Sequence, residues 1–356
     1  MGSGCVNVTN MKIDSKNEWD PLRVCIVGDV TGARFPEHDE MHRLYGQASS
    51  WRGFRHPRGP LPQGVLDETR EDLQTLCAVL EKLGVQVFRP EILDFSKPIT
   101  TYDWTTDGMY NYCPRDVLLV IGNMVIEAPM ALRARQAESI AYTEFKRSAI
   151  RSGARWISAP RPRLLLEENR LVDGIVCLTE EEPIFDASNV CRLGRDILYL
   201  VSCTGNRIGG QWLANVLGPD YRVHILEGLY QGSHIDTTIL PLREGTVLLN
   251  ASRITEQNCP SIFAGWEKIW VHGVVPQPLT HDAYAGKWIA LNVLSVDPST
   301  IIVDRHQKSL IQALERTGFT VIPLELRHAR TLGGGFHCVT LDVVRARACE
   351  MLGDEA

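Results

Sequence analysis

The stretch LEKLGVQVFRPE (Leu80–Glu91) returns near the end of the chain, without a gap, as LERTGFTVIPLE (Leu314–Glu325). Each copy reads as the end of an amphipathic helix, a glycine, and a short strand. Upstream of the first copy, Leu66, Leu73, Leu76, Leu80 and Leu83 share one helical face, and Gly84 is the stop. Val85 to Phe88 then continues as a strand. In the second copy Leu310 and Leu314 lead through Gly318 into Phe319 to Ile322. A shorter echo links Arg115-Asp116-Val117-Leu118 to Arg195-Asp196-Ile197-Leu198, each opening an apolar strand. Arg23 to Val27, Val247 to Leu249, Ile269 to Val271 and Ile301 to Val303 are further strand candidates. Strand–helix–strand units along the whole chain point to an α/β protein. A continuous βαβ sheet and a radial repeat both remain open, as does chance similarity between amphipathic helix ends.

Around these units, residues 1–16 read as a flexible tail, 17–347 as one catalytic domain, and 348–356 as a second tail. Residues 34–64, rich in Gly, Pro and His, read as a long loop. The 356 residues are 44% hydrophobic and 22% charged, an ordinary globular composition. A net charge of −6 argues against a general nucleic-acid binder. No apolar run is long enough to span a bilayer. The ten cysteines include no CxxC pair, so a zinc site is not expected. Scattered thiols and no export signal fit a reduced, cytoplasmic protein, with most cysteines as core fillers.

Four segments carry the candidate chemistry. In Leu332-Gly333-Gly334-Gly335-Phe336-His337-Cys338, three glycines cost chain entropy but let a ligand approach the backbone. A cysteine just after them is placed for use as a nucleophile, though a buried cysteine after a flexible turn reads the same way. On a strand His337 would point away from Cys338, which makes it structural rather than the base. In Ser233-His234-Ile235-Asp236, a strand would project His234 and Asp236 to one face, and a surface His–Asp pair is the plainer alternative. Asp186, in Phe185-Asp186-Ala187-Ser188-Asn189, is a partly buried acid or a helix cap. Asp116, in Pro114-Arg115-Asp116, is a site carboxylate or a surface ion-pair residue. Dinucleotide, phosphate-loop, HExxH and GxSxG motifs are absent.

Taken together, NEWDPL (Asn17–Leu22), CPRD (Cys113–Asp116), IEAPMALRAR (Ile126–Arg135), FDASN, DYRVH (Asp220–His224), SHID and LGGGFHC resemble the glycine and inosamine-phosphate amidinotransferases, in the family's order. The segments around FDASN and SHID look closer to the inosamine-phosphate type, which implies specialised metabolism. The resemblance implies a five-bladed α/β propeller of ββαβ units, pentein-like, around a central pocket. It implies Cys338 as nucleophile, His234 as general acid and base, and Asp186 as the carboxylate orienting that histidine. Asp116 and Asp236 match the carboxylates that hold arginine's guanidinium, and Arg253 matches the residue that binds its α-carboxylate. The implied partners are L-arginine and an amine acceptor, with a homodimer and with neither metal nor organic cofactor. Where some family members carry serine, this chain has Ala285 and Gly286, whose N–H groups would stand in for the hydroxyl. Ser233 replaces a bulky methionine of the glycine enzyme, so the acceptor end is expected to be larger or more polar. A guanidine hydrolase, such as an arginine deiminase, and a non-catalytic arginine-binding protein are the competing readings. Arg52, Arg55 and Arg58 are a candidate phosphate contact or a solvated basic loop.

Overall fold

A computed structural model of the chain describes residues 12–48, 56–278 and 282–346. It contains five three-stranded sheets of one plan. Within each, two strands form an antiparallel pair, and a third runs parallel to the middle one at the edge. Four sheets are consecutive in sequence: Leu118–Ile121, Met124–Glu127 and Arg155–Ser158; Val190–Leu193, Asp196–Leu200 and Arg222–Leu226; Ile239–Arg243, Thr246–Asn250 and Glu267–Val271; Leu294–Asp297, Thr300–Asp304 and Thr320–Leu324. The fifth joins the two ends of the chain. Thr340–Arg345 pairs antiparallel with Leu22–Val27, which runs parallel to Gln86–Phe88.

The long echo marks the same place in two sheets. The helix Gln63–Lys82 passes Gly84 (φ +82°) into the parallel edge strand Gln86–Phe88. The helix Lys308–Arg316 passes Gly318 (φ +89°) into the parallel edge strand Thr320–Leu324. At these dihedrals only glycine turns the chain without a Cβ penalty. The short echo is coincidental. Leu118 opens the first strand of its sheet after the short helix Pro114–Val117, whereas Asp196 opens the middle strand of the next sheet.

Three expectations change. Leu83 is 42% exposed at the end of its helix, where the apolar face has rotated out. Residues 34–64 contain the helix Glu40–Tyr45, capped by Asp39, and a small antiparallel pair, Arg34–Phe35 with Gly59–Pro60. Met41 and Tyr45 bury one face of that helix, a signal too short to read as a period. Residues 12–16, expected within a tail, pack on the sheets: Ile13 is buried, and Asp14 and Ser15 bridge to Val344 and Gly122. Arg52 and Arg55 lie outside the described residues, as do 1–11 and 347–356.

Between the sheets lies a buried ionic cluster. Arg192 grips Glu18 through Nε at 2.9 Å and Nη2 at 2.6 Å, and reaches Asp342 at 2.7 Å. Arg115 reaches Asp342 at 2.6 Å and Glu18 at 3.4 Å, and Arg345 holds Asp342 at 2.7 Å. All five side chains are nearly inaccessible. Removing one partner from such a cluster strands a desolvated charge. Arg192→Ala is therefore expected to cost about 3–5 kcal/mol, read as a lower urea midpoint. An unchanged midpoint would show that the cluster contributes little to stability.

Candidate active site

Apart from Arg253, which follows the middle strand Thr246–Asn250, the candidate acids, His234 and Cys338 occupy one recurring position, the turn just before the first strand of a sheet. Asp116 lies on Pro114–Val117, before Leu118–Ile121. Asp186 opens the 3-10 turn Ala187–Asn189, before Val190–Leu193. His234 and Asp236 belong to the turn Ile235–Thr237, before Ile239–Arg243. Asn292 follows the turn Lys287–Leu291, before Leu294–Asp297. Cys338 precedes Thr340–Arg345. Neither His234 and Asp236 nor His337 and Cys338 lie on a strand, so the alternating-face argument does not apply to them. In these turns neighbouring side chains converge instead.

Asp236 is where they converge. Its Oδ2 accepts a hydrogen bond from His337 Nδ1 at 2.9 Å and from Cys338 Sγ at 3.3 Å. Its Oδ1 is buried and has no hydrogen-bond partner among the described residues. Burial would raise the Asp236 carboxyl, but the His337 hydrogen bond and the nearby histidine charges outweigh it and leave it at about 2. The Asn292 amide adds a little to that lowering, although its Nδ2 falls outside hydrogen-bond geometry.

His234 stands between two carboxylates. Its Nε2 is 3.0 Å from Asp186 Oδ2, and its Nδ1 is 3.6 Å from Asp116 Oδ1. Burial works against its charged form. The Asp116 charge, the Asp186 hydrogen bond and Cys338 prevail and hold it well above the usual histidine range. Asp186 caps nothing with its side chain. Its Oδ1 accepts from the Ala131 N–H at 3.0 Å, which leaves Oδ2 turned to His234. Asp116 is buried, with Oδ1 accepting from Ser188 at 2.6 Å and Oδ2 paired to Arg135 at 2.7 Å. It is no surface ion pair.

All three glycines of the cysteine loop have a steric reason. Gly333 turns at φ +81° with the Tyr284 ring 2.6 Å from where a Cβ would stand. A Cβ on Gly334 would meet Cys113 Sγ at 2.5 Å, and one on Gly335 would meet Asn292 at 2.6 Å. Asn292 Oδ1 also accepts from the Cys338 N–H at 2.8 Å. Cys113 is thus a second thiol against the first, and more than a core filler. Its interaction with Cys338, then burial, then the Asp236 charge push the Cys338 thiol well above its ordinary value, and His234 pulls the other way.

Arg253 stacks on Tyr230 at 3.6 Å and donates to Thr237 and Thr238, beside Asp236. Ser233 is exposed next to His234. The Ala285 N–H is taken by the Arg330 carbonyl at 2.9 Å, so it does not replace a serine hydroxyl. Gly286 caps the turn 287–291 with open space beside it. Asp116, His234 and Cys338 place side-chain O, N and S atoms within 4.8 Å of one another. Sequence reading missed Cys113, Asn292, Arg135 and Glu18 as neighbours of the site. Only the quoted motifs CPRD, IEAPMALRAR and NEWDPL marked three of them.

No family model matches the chain. It is 48% identical over 338 residues to an inosamine-phosphate amidinotransferase of Streptomyces glaucescens, covering 94% of this chain and 97% of that one. The chain belongs to the amidinotransferase family. It is also 38% identical to an L-arginine:L-lysine amidinotransferase of Pseudomonas savastanoi pv. phaseolicola, over 93% of this chain and 94% of the relative. The solved structure of an inosamine-phosphate amidinotransferase from Streptomyces griseus superposes with a TM-score of 0.89, at 46% identity, over 94% and 97% of the two chains. The protein is accordingly a transferase of amidino groups with an α/β fold of that kind. No helix among the described residues is long and apolar enough to cross a membrane.

The raised thiol has a measurable consequence. In the enzyme without substrate, iodoacetamide should label Cys338 far more slowly than the exposed Cys177 at pH 7.5, with the Cys338 rate still climbing at pH 10. Peptide mapping by mass spectrometry separates the two. A Cys338 rate that levels off near neutral pH would contradict the electrostatics described.

Proposed function

We propose that the protein takes the amidino group of L-arginine onto Cys338 and passes it to a primary amine, releasing ornithine. The observation that carries this is Asp236 Oδ1, a buried, ionised and unpartnered carboxylate oxygen beside the Cys338 sulfur. It fits one edge of a planar guanidinium, whose N–H donors match a carboxylate. Asp116 has lone pairs left after Ser188 and Arg135 and takes a second edge. Arg253 binds the α-carboxylate of the donor.

In this reading the substrate cation offsets the Asp236 charge, and the thiol loses its proton to solvent. The thiolate attacks the guanidinium carbon. His234, already protonated, gives its proton to the departing amine as the C–N bond breaks, and Asp186 keeps the ring in place. Ornithine leaves, and the amidino group remains on sulfur. The acceptor amine then surrenders a proton to His234, attacks the same carbon and expels the thiolate. The resting charge of His234 suits the first half-reaction, which needs an acid.

The likeness to inosamine-phosphate enzymes supports a phosphorylated aminocyclitol as acceptor and a role in specialised metabolism. The exposed Ser233 leaves that side of His234 open. We also infer a closed five-bladed ring. Its support is the common plan of the five sheets, the pairing of the last strand with the first, and five turns that meet at one site.

With arginine alone, the enzyme should release about one equivalent of ornithine per site as a burst, and its mass should rise by one amidino group on Cys338. Cys338→Ala should show neither. Steady citrulline formation without an amine would make the protein a hydrolase instead, and absence of both burst and adduct would make it a binding protein.

Donor recognition has its own test. Arg253→Ala should raise the arginine KM by at least about tenfold, while agmatine, which lacks the carboxylate, should be equally poor with both enzymes. Equal specificity constants for arginine and agmatine in the parent enzyme would remove Arg253 from the donor site.

A further inference from the structure

His337 has no part in the transfer chemistry, yet it links the ionic cluster to the site. Its ring is 4% exposed and lies between two carboxylates, with Nδ1 2.9 Å from Asp236 Oδ2 and Nε2 3.3 Å from Glu18 Oε2. Neutral imidazole has one donor nitrogen and one acceptor nitrogen, and an ionised carboxylate only accepts. One of the three groups must therefore hold an extra proton, or two lone pairs would face each other in a buried interior.

The neighbours decide which group. Glu18 is gripped by Arg192 through two nitrogens and touched by Arg115, so cations already occupy its oxygens. Asp236 gives one oxygen to the Cys338 thiol and faces His234 across the site. Arg115 Nε also donates to the His337 carbonyl at 2.7 Å, which pins the residue's backbone to the same cluster. The charges facing the ring from all sides are Glu18 on the N-terminal segment, Asp236 on the 235–237 turn, Arg115 on the 114–117 helix, and Arg192 and Asp342 behind Glu18. Arg115, Arg192 and Arg345 pair with Glu18 and Asp342, whereas no arginine pairs with Asp236, which meets the His337 ring and the Cys338 thiol. A positive His337 then stands against Asp236, on the carboxylate oxygen that also meets the Cys338 sulfur.

We propose that His337 is a buried imidazolium acting as a positioning residue. It donates from both nitrogens, fixes Asp236 with Oδ1 toward the donor guanidinium, and screens the Cys338 thiolate from the Asp236 charge. The first consequence rests on the donor-binding reading above, whereas the protonation of the ring does not.

The test begins with the unmodified protein labelled with 15N-histidine. Both His337 nitrogens should carry protons at pH 7 without substrate. The signals are assigned by their loss in His337→Gln or, if that variant does not fold, by their displacement in Cys338→Ala. A bare, unprotonated ring nitrogen at pH 7 would overturn the proposal whatever the enzyme's donor proves to be. In kinetics, His337→Gln should raise the arginine KM by about tenfold or more and slow Cys338 alkylation at each pH. A merely structural residue would lower thermal stability and leave both unchanged, and that result would also overturn it. Glu18→Gln replaces one of the two carboxylates that face the ring with a neutral amide, so in that variant one of the two His337 N–H signals should weaken or vanish at pH 7. A ring unaffected by that change would show that Glu18 does not hold it.

Discussion

The side chains of Glu18, Arg115, Arg192, Asp342 and Arg345 lie together almost closed to solvent, and the surroundings of Cys338 are built on that fact. Taking a carboxylate or guanidinium out of solvent costs several kcal/mol per ion, and the cost is recovered only when every charge meets an opposite one in good geometry. Here each does, and the partners come from the N-terminal segment, the 114–117 helix, the 190–193 strand and the last strand. The cluster therefore requires those four pieces of chain to be in place at once.

That rigidity reaches the chemistry through short links. Arg115 holds the His337 carbonyl, and Glu18 holds its ring. The ring holds Asp236, and Asp236 touches the sulfur of Cys338. On the other side Asp186 and Asp116 hold His234. The result is a thiol that resists ionisation beside a histidine that resists deprotonation. In the transfer we propose, a thiol kept neutral until a cation arrives is protected from adventitious electrophiles, and a histidine kept charged is ready to protonate the leaving group. The histidine keeps its charge because carboxylates surround it, against the effect of burial, whereas the thiol stays neutral first through Cys113 and burial, with the Asp236 charge adding to them.

The five sheets explain how one chain brings such distant residues together. Each delivers its contribution from the turn before its first strand, so five separate turns face a common space. A strand would have sent alternate side chains to opposite faces. The 3-10 and irregular turns found there let adjacent residues such as His337 and Cys338 reach the same carboxylate oxygen. Glycine is obligatory in the last of these turns, because Tyr284, Cys113 and Asn292 occupy the space that side chains at 333–335 would need.

Much of this was legible in the sequence, and some of it could not have been. The long echo located two equivalent helix-to-edge-strand passages, since a helix end, a left-handed glycine and an apolar strand are local and leave local marks. The triple glycine, Asp186, the SHID segment and Asp116 were recognisable as motif residues, and the structure brings their side chains to one place. The short echo misled because four residues cannot reveal which strand of a sheet they open. The strand reading of His234 and Asp236 failed because a turn of three residues has no period. Cys113, Asn292 and the links through Glu18 and His337 were beyond reach for a different reason. Their roles depend on distances between residues up to about 320 positions apart in the chain, and on how far burial strengthens a charge. Sequence fixes which groups are available, but only packing decides which of them lose water together, and that packing is what moves the Cys338 thiol and the His234 ring away from their ordinary protonation.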